Sequence, residues 1–315
     1  MDVLAELLHG ARARGALIGR SVLSPPWALR LAAGAALTVV TPLRGRAWVV
    51  PDGGGAVRLG TGDVAVVRGP GPFTLADPPA TPPRTVAHDA EHRTASGGVA
   101  AGAEPERDGL ARQDGESGAA LLLTGGYRVR GHVNERLLSA LPAVVTVAEN
   151  EADCPLTEQI AAEVVRDGPG RQVILDRLLD LLLMFTLRTW FARAGTQAPP
   201  WYRALGDPVA GPALRALHDA PARQWTVASL AEVAGVSRAT MARRFTALVG
   251  TPPMTYLADW RVCLAADLLA DTTETIDSIA RRVGYANAFA LSVAFKRVRG
   301  VSPSEHRAHA AVAAG

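Results

Sequence analysis

One stretch of sequence decides the fold of the C-terminal part of the chain, namely Ser278-Ile279-Ala280-Arg281-Arg282-Val283-Gly284-Tyr285. It predicts a short helix that ends at Gly284, because glycine accepts the backbone angles of a tight turn. Residues 286–287 then lead into a second predicted helix, which ends at Arg299 with Gly300 as its C-cap. Two short helices joined by a glycine-containing turn are typical of a helix-turn-helix unit.

The same pattern occurs 49 residues earlier, in Ser229-Leu230-Ala231-Glu232-Val233-Ala234-Gly235-Val236-Ser237. Ser237 is a favourable N-cap and predicts a second helix over residues 238–249. Each unit carries a small alanine where its helices approach each other, and a late phenylalanine, Phe245 or Phe295, to fill its core. The sequence therefore predicts two helix-turn-helix units in tandem.

A long helix is predicted between the two units, over residues 254–270. Its larger apolar residues recur on one side and should set the distance between the units. These residues are Leu257, Trp260, Leu264 and Leu268.

The first part of the chain predicts β-structure after an opening helix over residues 2–14. Short apolar segments alternate with Gly, Pro and Asp, as in a β-sandwich or barrel. The segments are residues 16–23, 37–43, 46–50, 56–59, 64–67, 119–124, 127–129 and 144–147. Residues 51–54 predict a tight turn, and residues 76–118 are too poor in large apolar groups to predict more than a mobile loop within this β-domain.

Helical periodicity begins after Pro155, over residues 156–166 and 172–193, and a Pro- and Gly-rich hinge is expected at residues 196–212. The apolar residues of the second helix cover more of its circumference than one packing partner requires. They are Ile174, Leu175, Leu178, Leu181, Leu182, Met184 and Phe185. Packing on the β-domain and packing on a second subunit are both compatible with this pattern, and we expect a homodimer held by residues 172–193.

The helical part resembles the DNA-binding domain of the AraC/XylS family of bacterial transcription regulators, over about residues 212–307. The motifs that carry the resemblance are the stretch 279–285, Ala294-Phe295-Lys296-Arg297 and Gly300-Val301-Ser302-Pro303-Ser304. The first part is similar to the cupin-like sensor domain of one branch of that family. The motifs are Asp2-Val3-Leu4, Arg14-Gly15-Ala16-Leu17, Pro25-Pro26-Trp27 and Leu59-Gly60-Thr61-Gly62-Asp63.

The resemblance implies an α+β protein with an N-terminal cupin-like β-barrel and a C-terminal all-α domain with two helix-turn-helix units. We expect a sensor domain over residues 1–150, a helical linker and dimerisation segment over 155–211, and the DNA-binding domain over 212–309. The implied partners are double-stranded promoter DNA, a small-molecule effector of unknown identity, a second subunit and, as a candidate, RNA polymerase. Activation and repression are both compatible with this architecture.

The family pattern also implies which side chains meet DNA. In the first unit these are Arg238, Ala239, Ala242 and Arg243 in the major groove, with Thr240 and Arg244 nearer the phosphates. Arg243 is the leading candidate for base recognition, because one guanidinium can bind O6 and N7 of guanine together. Residues 213–309 hold 12 Lys or Arg against 8 Asp or Glu, which favours a modest attraction to phosphates.

The second unit departs from the family pattern, in which a polar residue and an arginine are common at the positions of Ala288 and Val293. Asn287 and Ser292 remain as hydrogen-bonding side chains there, and Lys296 and Arg297 complete the predicted contact set. We expect this unit to contribute phosphate contacts and apolar contact with thymine methyl groups, and the first unit to dominate sequence choice.

Other functions find little support in the sequence. No apolar run is long enough to span a bilayer, no signal core is present, and two cysteines cannot form a disulfide framework, so we expect a cytoplasmic protein. No catalytic motif, cofactor motif or strand histidine for a cupin metal site is present, and His88 and His92 fall in the predicted loop. Two alternatives are a cupin-class enzyme or metal sensor with an accessory helical domain, and an interaction module whose helix-turn-helix units bind protein.

Overall fold

A computed structural model describes the two parts of the chain as separate compact units. The residues that it describes are 11–13, 21–32, 35–83, 85–89, 92–94, 120–129, 138, 141–151, 156–166, 168–193 and 198–314.

The first unit contains two sheets of six strands each. One sheet has the order β1-β11-β4-β7-β12, with β2 also paired to β11, and the other has the order β10-β9-β3-β8-β5-β6. The strands are β1 Ala11–Ala13, β2 Ser21–Leu23, β3 Ala28–Leu31, β4 Leu37–Arg44, β5 Ala47–Pro51, β6 Val57–Leu59, β7 Val64–Arg68, β8 Phe73–Ala76, β9 Thr85–Asp89, β10 His92–Thr94, β11 Ala120–Val129 and β12 Val144–Val147. All described pairs are antiparallel except β3 with β9.

An apolar core lies between the two sheets. Alternate residues of the strands point inward, as the period of two in a strand requires. The buried cluster draws on both sheets and includes Trp27, Val40, Val49, Val67, Leu75 and Leu122. Within the described residues the strands remain in two sheets and do not close into a continuous barrel.

Two helices, α1 (Leu156–Val165) and α2 (Arg171–Arg193), belong to the same unit as the sheets. The α2 helix packs on the outer face of the first sheet, where the Tyr127 hydroxyl donates a hydrogen bond to the backbone carbonyl of Leu179 at 2.6 Å. Burial, and then the charges of Asp180 and Asp176, raise the pKa of Tyr127 well above its ordinary value, so the hydroxyl stays a donor. A Cβ atom at Gly125 would lie 2.9 Å from the Leu179 side chain, which explains a glycine in the middle of β11.

The second unit is helical in its described part. Its helices are α3 Pro200–Leu205, α4 Ala210–Asp219, α5 Val227–Val233, α6 Arg238–Val249, α7 Pro253–Asp271, α8 Ile276–Val283, α9 Ala288–Arg299 and α10 Pro303–Ala314. The fold class predicted from the sequence is therefore confirmed, with two sheets where a barrel was expected. None of the described helices has the length and apolar character needed to cross a membrane.

Three local predictions are wrong. Residues 11–13 of the expected opening helix form β1, because they pair with β11, and residues 1–10 lie outside the described residues. Residues 85–89 and 92–94 of the expected mobile loop form strands, since β9 finds a partner in β3. The expected hinge at residues 196–212 contains α3 and the start of α4.

Candidate DNA-binding site

The first helix-turn-helix unit consists of α5 and α6. Local hydrogen bonds define both helix starts: Thr226 and Ser229 form a reciprocal capping box, and Ser237 accepts a hydrogen bond from the Thr240 backbone N–H at 3.2 Å. Gly235 takes a positive φ of 65° in the turn between the helices. Capping and turn chemistry thus fix the corner that the sequence predicted.

The second unit consists of α8 and α9 and repeats this construction. Thr275 caps α8, Gly284 ends it with a φ of 97°, and the side chain of Asn287 accepts a hydrogen bond from the Ala290 backbone N–H at 2.9 Å to start α9. Gly300 ends α9 in the left-handed conformation, as predicted. The late phenylalanines of both units, Phe245 and Phe295, are fully buried.

The connecting helix α7 holds the two units together through its buried face. Leu257 and Trp260 are buried, while Leu264 and Leu268 lie partly buried against the core of the second unit. The prediction that this helix sets the spacing between the units therefore has a packing basis.

A polar cluster that the sequence did not indicate also joins the units, and Arg261 of α7 is its centre. The Arg261 guanidinium donates hydrogen bonds to the backbone carbonyls of Pro221 and Arg223, each at 2.8 Å, in the segment before the first unit. Gln224, in the same segment, donates to the carbonyl of Gly284 in the turn of the second unit at 3.0 Å. A Cβ atom at Gly284 would lie 2.7 Å from Arg261 Nη2, so only glycine fits at this contact.

The first recognition helix, α6, presents an exposed basic face. Arg238, Ala239 and Arg243 are exposed, and Ala242 is half-buried. Arg238 and Arg243 form no ion pair with any residue that the structure describes. Thr240 lies beside the N-cap, where its hydroxyl accepts a hydrogen bond from Ser237 at 2.9 Å. The predicted groove-facing residues of this unit therefore share one accessible face.

Arg244 differs from its neighbours because an aspartate holds it. Its Nε and Nη2 donate to Oδ2 of Asp207 at 2.9 and 2.7 Å, and only 6% of the Asp207 side chain is exposed. Oδ1 of Asp207 also accepts hydrogen bonds from the backbone N–H groups of Val209 and Ala210. Burial alone would raise the pKa of Asp207, but the hydrogen bonds from Arg244, Ala210 and Val209 outweigh it and keep the pKa below its ordinary value. Arg244 thus fastens α6 to the loop before α4.

The second recognition helix, α9, uses its two predicted polar groups internally. The Asn287 side chain caps the helix, and the Ser292 hydroxyl donates to the carbonyl of Ala288 at 2.7 Å. Val293 is exposed, as are Lys296 and Arg297 in the last turn. The face that would enter the groove is therefore mainly apolar, with cations near its end.

Phe289 is the residue that the sequence analysis missed. It is 78% exposed, the highest value among the large apolar side chains that the structure describes. A signal was available: when the two N-caps are aligned, Ser237 with Asn287, Phe289 occupies the position of Ala239. Ala239 is predicted to face the major groove, and the same alignment predicts this for Phe289.

No metal site is formed within the described part of the chain, where no three His, Cys, Asp or Glu side chains lie close enough to hold an ion. His88 and His92 fall on β9 and β10 rather than in a loop, and their side chains lie outside the described residues.

Comparison with known proteins divides the chain in the same way. Residues 2–192 match the cupin family, and residues 230–309 match a helix-turn-helix domain family. The strands and α2 fall in the first match, and both recognition helices fall in the second.

Full-length relatives share this architecture. An AraC-like transcription regulator of Streptomyces lividans is 36% identical over 318 aligned residues, covering 98% of this chain and 99% of that protein. A second, from Streptomyces antibioticus, is 35% identical over 315 residues with the same coverage. The DNA-binding domain of the transcriptional factor AdpA, solved with a target DNA, is 35% identical with a TM-score of 0.32 and covers 33% of this chain and 93% of that chain.

Proposed function

Because this chain belongs to the AraC-like family of DNA-binding transcription regulators, we propose that it recognises promoter DNA chiefly through the first recognition helix. The observation that carries this proposal is the exposed pair Arg238 and Arg243 on α6, flanked by the small Ala239 and Ala242. Small neighbours let a helix approach the base edges, and the long arginines then reach them. Lys296 and Arg297 on α9 contribute phosphate contacts that position the second unit.

Arg243 is the base-reading residue in this proposal. A guanidinium donates two parallel hydrogen bonds to O6 and N7 of guanine, and such a bidentate contact discriminates against other bases by about 1–3 kcal/mol. Arg244 plays a different part, since Asp207 already holds its guanidinium. We therefore propose that Arg243 selects the base sequence. Arg244 contributes no more than a phosphate contact.

The test is DNA binding by the full chain in gel shifts, over a series of salt concentrations, on a selected operator and on random DNA. Arg243→Ala should lose about 1–3 kcal/mol on the operator and much less on random DNA, and preference should relax at one base pair. Arg58→Ala removes the same charge from an exposed position on β6, in the N-terminal unit that contains the two sheets. It serves as the matched control. Equal losses on both DNAs would reduce Arg243 to a phosphate contact, and a wild-type chain without DNA affinity would favour the protein-binding alternative.

The N-terminal unit, which contains the two sheets, is proposed to bind a small-molecule effector and to have no catalytic role. Its interior is apolar, and the indole N–H of buried Trp27 has no hydrogen-bond partner in the described part. An unsatisfied buried donor costs about 1–3 kcal/mol, which an acceptor on the effector would recover. We expect an effector with an apolar body and a hydrogen-bond acceptor.

Mass spectrometry of compounds released from protein purified from its native host tests this assignment. The expected result is a compound that co-purifies with wild type and is depleted in Trp27→Phe, which keeps an aromatic ring and removes the N–H. Metal that co-purifies stoichiometrically, together with turnover of a substrate, would favour the cupin-class alternative.

A homodimer through α2 is also proposed. Leu175, Leu179 and Leu182 are buried within the unit, whereas Val173, Ile174 and Leu181 are 61%, 45% and 47% exposed. Residues 174, 178, 181 and 185 follow steps of four, three and four, the spacing of a coiled-coil seam. A second copy offers the same apolar seam, and pairing would cover both.

Sedimentation at micromolar concentration checks the dimer. Leu181→Glu should yield a folded monomer of about 33 kDa, since Leu181 is 47% exposed in the single subunit and a charge there can remain in water. Leu182→Glu, one residue along and buried, should instead unfold the unit. A wild-type monomer would contradict the proposal and leave the seam as a solvent-exposed face.

We also propose that the protein is located in the cytoplasm. RNA polymerase is the partner that we propose for the DNA-bound form.

A further inference from the structure

The helix α9 presents an exposed apolar face. Phe289 and Val293 are 78% and 56% exposed, and side chains four residues apart on a helix lie on the same face. A large aromatic ring in water forgoes the free energy that burial would give, so an uncovered phenylalanine marks a contact surface. We call the surface that these two residues form the Phe289 face.

The positions of Phe289 and Val293 in the second helix-turn-helix unit indicate the direction of this face. Counted from the N-caps, Phe289 corresponds to Ala239 and Val293 to Arg243, the two positions of α6 assigned to the major groove. The buried residues correspond in the same register, Met241 with Leu291 and Phe245 with Phe295. Because equivalent core positions orient both helices alike within their units, the Phe289 face is the groove-facing side of α9.

Charge favours DNA over an apolar protein as the occupant. Lys296 and Arg297 are exposed on the last turns of the same helix, and its first turn carries the partial positive charge of a helix N-terminus. An apolar centre between cationic ends suits a groove with methyl groups on its floor and phosphates along its edges. No polar side chain competes at the centre, because Asn287 and Ser292 hydrogen-bond within the helix.

We propose that Phe289, supported by Val293, selects thymine in the second half-site by packing against the C5 methyl groups in the major groove. This inference rests on the proposed DNA-binding function and names the chemistry of its second half-site. Thymine is the one base of DNA that presents a methyl group there, so an apolar side chain at this position distinguishes it from cytosine. Phe289 is thus a specificity-determining residue of the second unit.

The test replaces thymine by deoxyuridine, which removes the methyl group and leaves the base-pairing edge unchanged. The full chain is first used to select an operator from random double-stranded DNA, and the thymines of the second half-site are then replaced one at a time. Each contacted methyl should account for about a three- to fivefold loss of wild-type affinity, the effect of one buried methyl group. The same replacements in the first half-site form the internal control.

Phe289→Ala should bind the thymine operator about tenfold more weakly and should no longer distinguish thymine from uracil at the contacted positions. The cycle of two proteins and two DNAs isolates the contact from general effects of the substitution. Val233→Ala, which truncates an exposed apolar side chain on α5, is the control and should keep full discrimination. Because Phe289 is exposed, the unfolding midpoint of the variant should equal that of wild type.

Two results would overturn the inference. If Phe289→Ala still distinguishes thymine from uracil as wild type does, Phe289 does not read the methyl group, although DNA binding itself stands. If that variant keeps its discrimination but loses transcription in a purified RNA polymerase assay, the Phe289 face binds protein. A wild-type chain that binds no DNA would remove the proposed function as well, and so this failure is distinguishable from the other two.

Discussion

The two helix-turn-helix units share one scaffold and differ on one face. The buried residues of the recognition helices are of the same kind, with Met241 matched by Leu291 and Phe245 by Phe295. The exposed faces have little in common: Arg243 of the first unit corresponds to Val293 of the second. The scaffold residues are constrained by packing, whereas the exposed residues are free to follow the DNA that each unit meets.

The difference also extends to how each helix is supported. The first recognition helix is tied through Arg244 to Asp207, outside its own unit. The second carries Ala294 at the corresponding position, packed in the core. At this position the first recognition helix is therefore held by a charged contact with the segment before α4, and the second by apolar packing.

The largest expected effect tests whether the shared scaffold is equally important in both units. Phe245→Ala and Phe295→Ala should each destabilise the helical unit by about 3–5 kcal/mol, because both rings are fully buried. Urea unfolding followed by circular dichroism gives the free energies. Phe289→Ala is the matched control and should change stability by less than about 0.5 kcal/mol, and a similar loss there would show that its ring packs in the fold.

Arg261→Met should lower the free energy of unfolding by about 2–4 kcal/mol, since the carbonyls of Pro221 and Arg223 lose their donor. The two units should also become less rigidly coupled. Binding to operators with one base pair inserted between the half-sites measures this coupling, and the variant should tolerate the insertion better than wild type. Arg261→Lys keeps the positive charge but lacks the planar guanidinium. Its stability and its tolerance of the insertion should lie between those of wild type and Arg261→Met. If the variant prefers the same half-site spacing as wild type, the apolar packing of α7 alone sets the relative position of the two helix-turn-helix units.

Asp207→Asn should cost about 1–2 kcal/mol at neutral pH, because the hydrogen bonds from the Val209 and Ala210 N–H groups and the ion pair with Arg244 all weaken. The folded pKa of Asp207 lies below the ordinary value of 3.8, so its ionised form stabilises the fold above that pH. This contribution is lost as pH falls through the folded pKa. Unfolding measured from neutral to acidic pH should show the wild-type advantage shrinking only on the acid side. Glu232→Gln, at an exposed carboxylate of α5, is the control.

Val293→Arg should have the smallest effect and makes the second face resemble the first. We expect about a two- to fivefold gain in affinity for random DNA and a steeper salt dependence, since one more phosphate is neutralised. Gel shifts over a salt series measure both quantities. Weaker binding with an intact helical signal would show that the valine methyl groups themselves contact DNA.

The sequence by itself determined the features that depend on near neighbours. The N-cap Ser237, the turn glycine Gly284 and the C-cap Gly300 all act within a few residues along the chain, and their structures follow the prediction. Most strands of the N-terminal unit overlap predicted segments, because short apolar runs bounded by Gly, Pro and Asp indicate strands. The strands β1, β3, β8, β9 and β10 were not predicted; β9 and β10, for example, pair with β3 and with each other, which their composition does not indicate.

Tertiary structure alone decided which exposed residues are available and which are already engaged. Asp207 and Arg244 are 37 residues apart, and Arg261 and Pro221 are 40 apart, so no local pattern could pair them. The α2 helix reads as one broad apolar stripe, and only its packing on the first sheet separates buried Leu182 from exposed Leu181. Phe289 and Phe295 are likewise the same residue type six positions apart on one helix. Whether a phenyl ring faces the core or the solvent is fixed by where the other helices lie, which a linear sequence does not state.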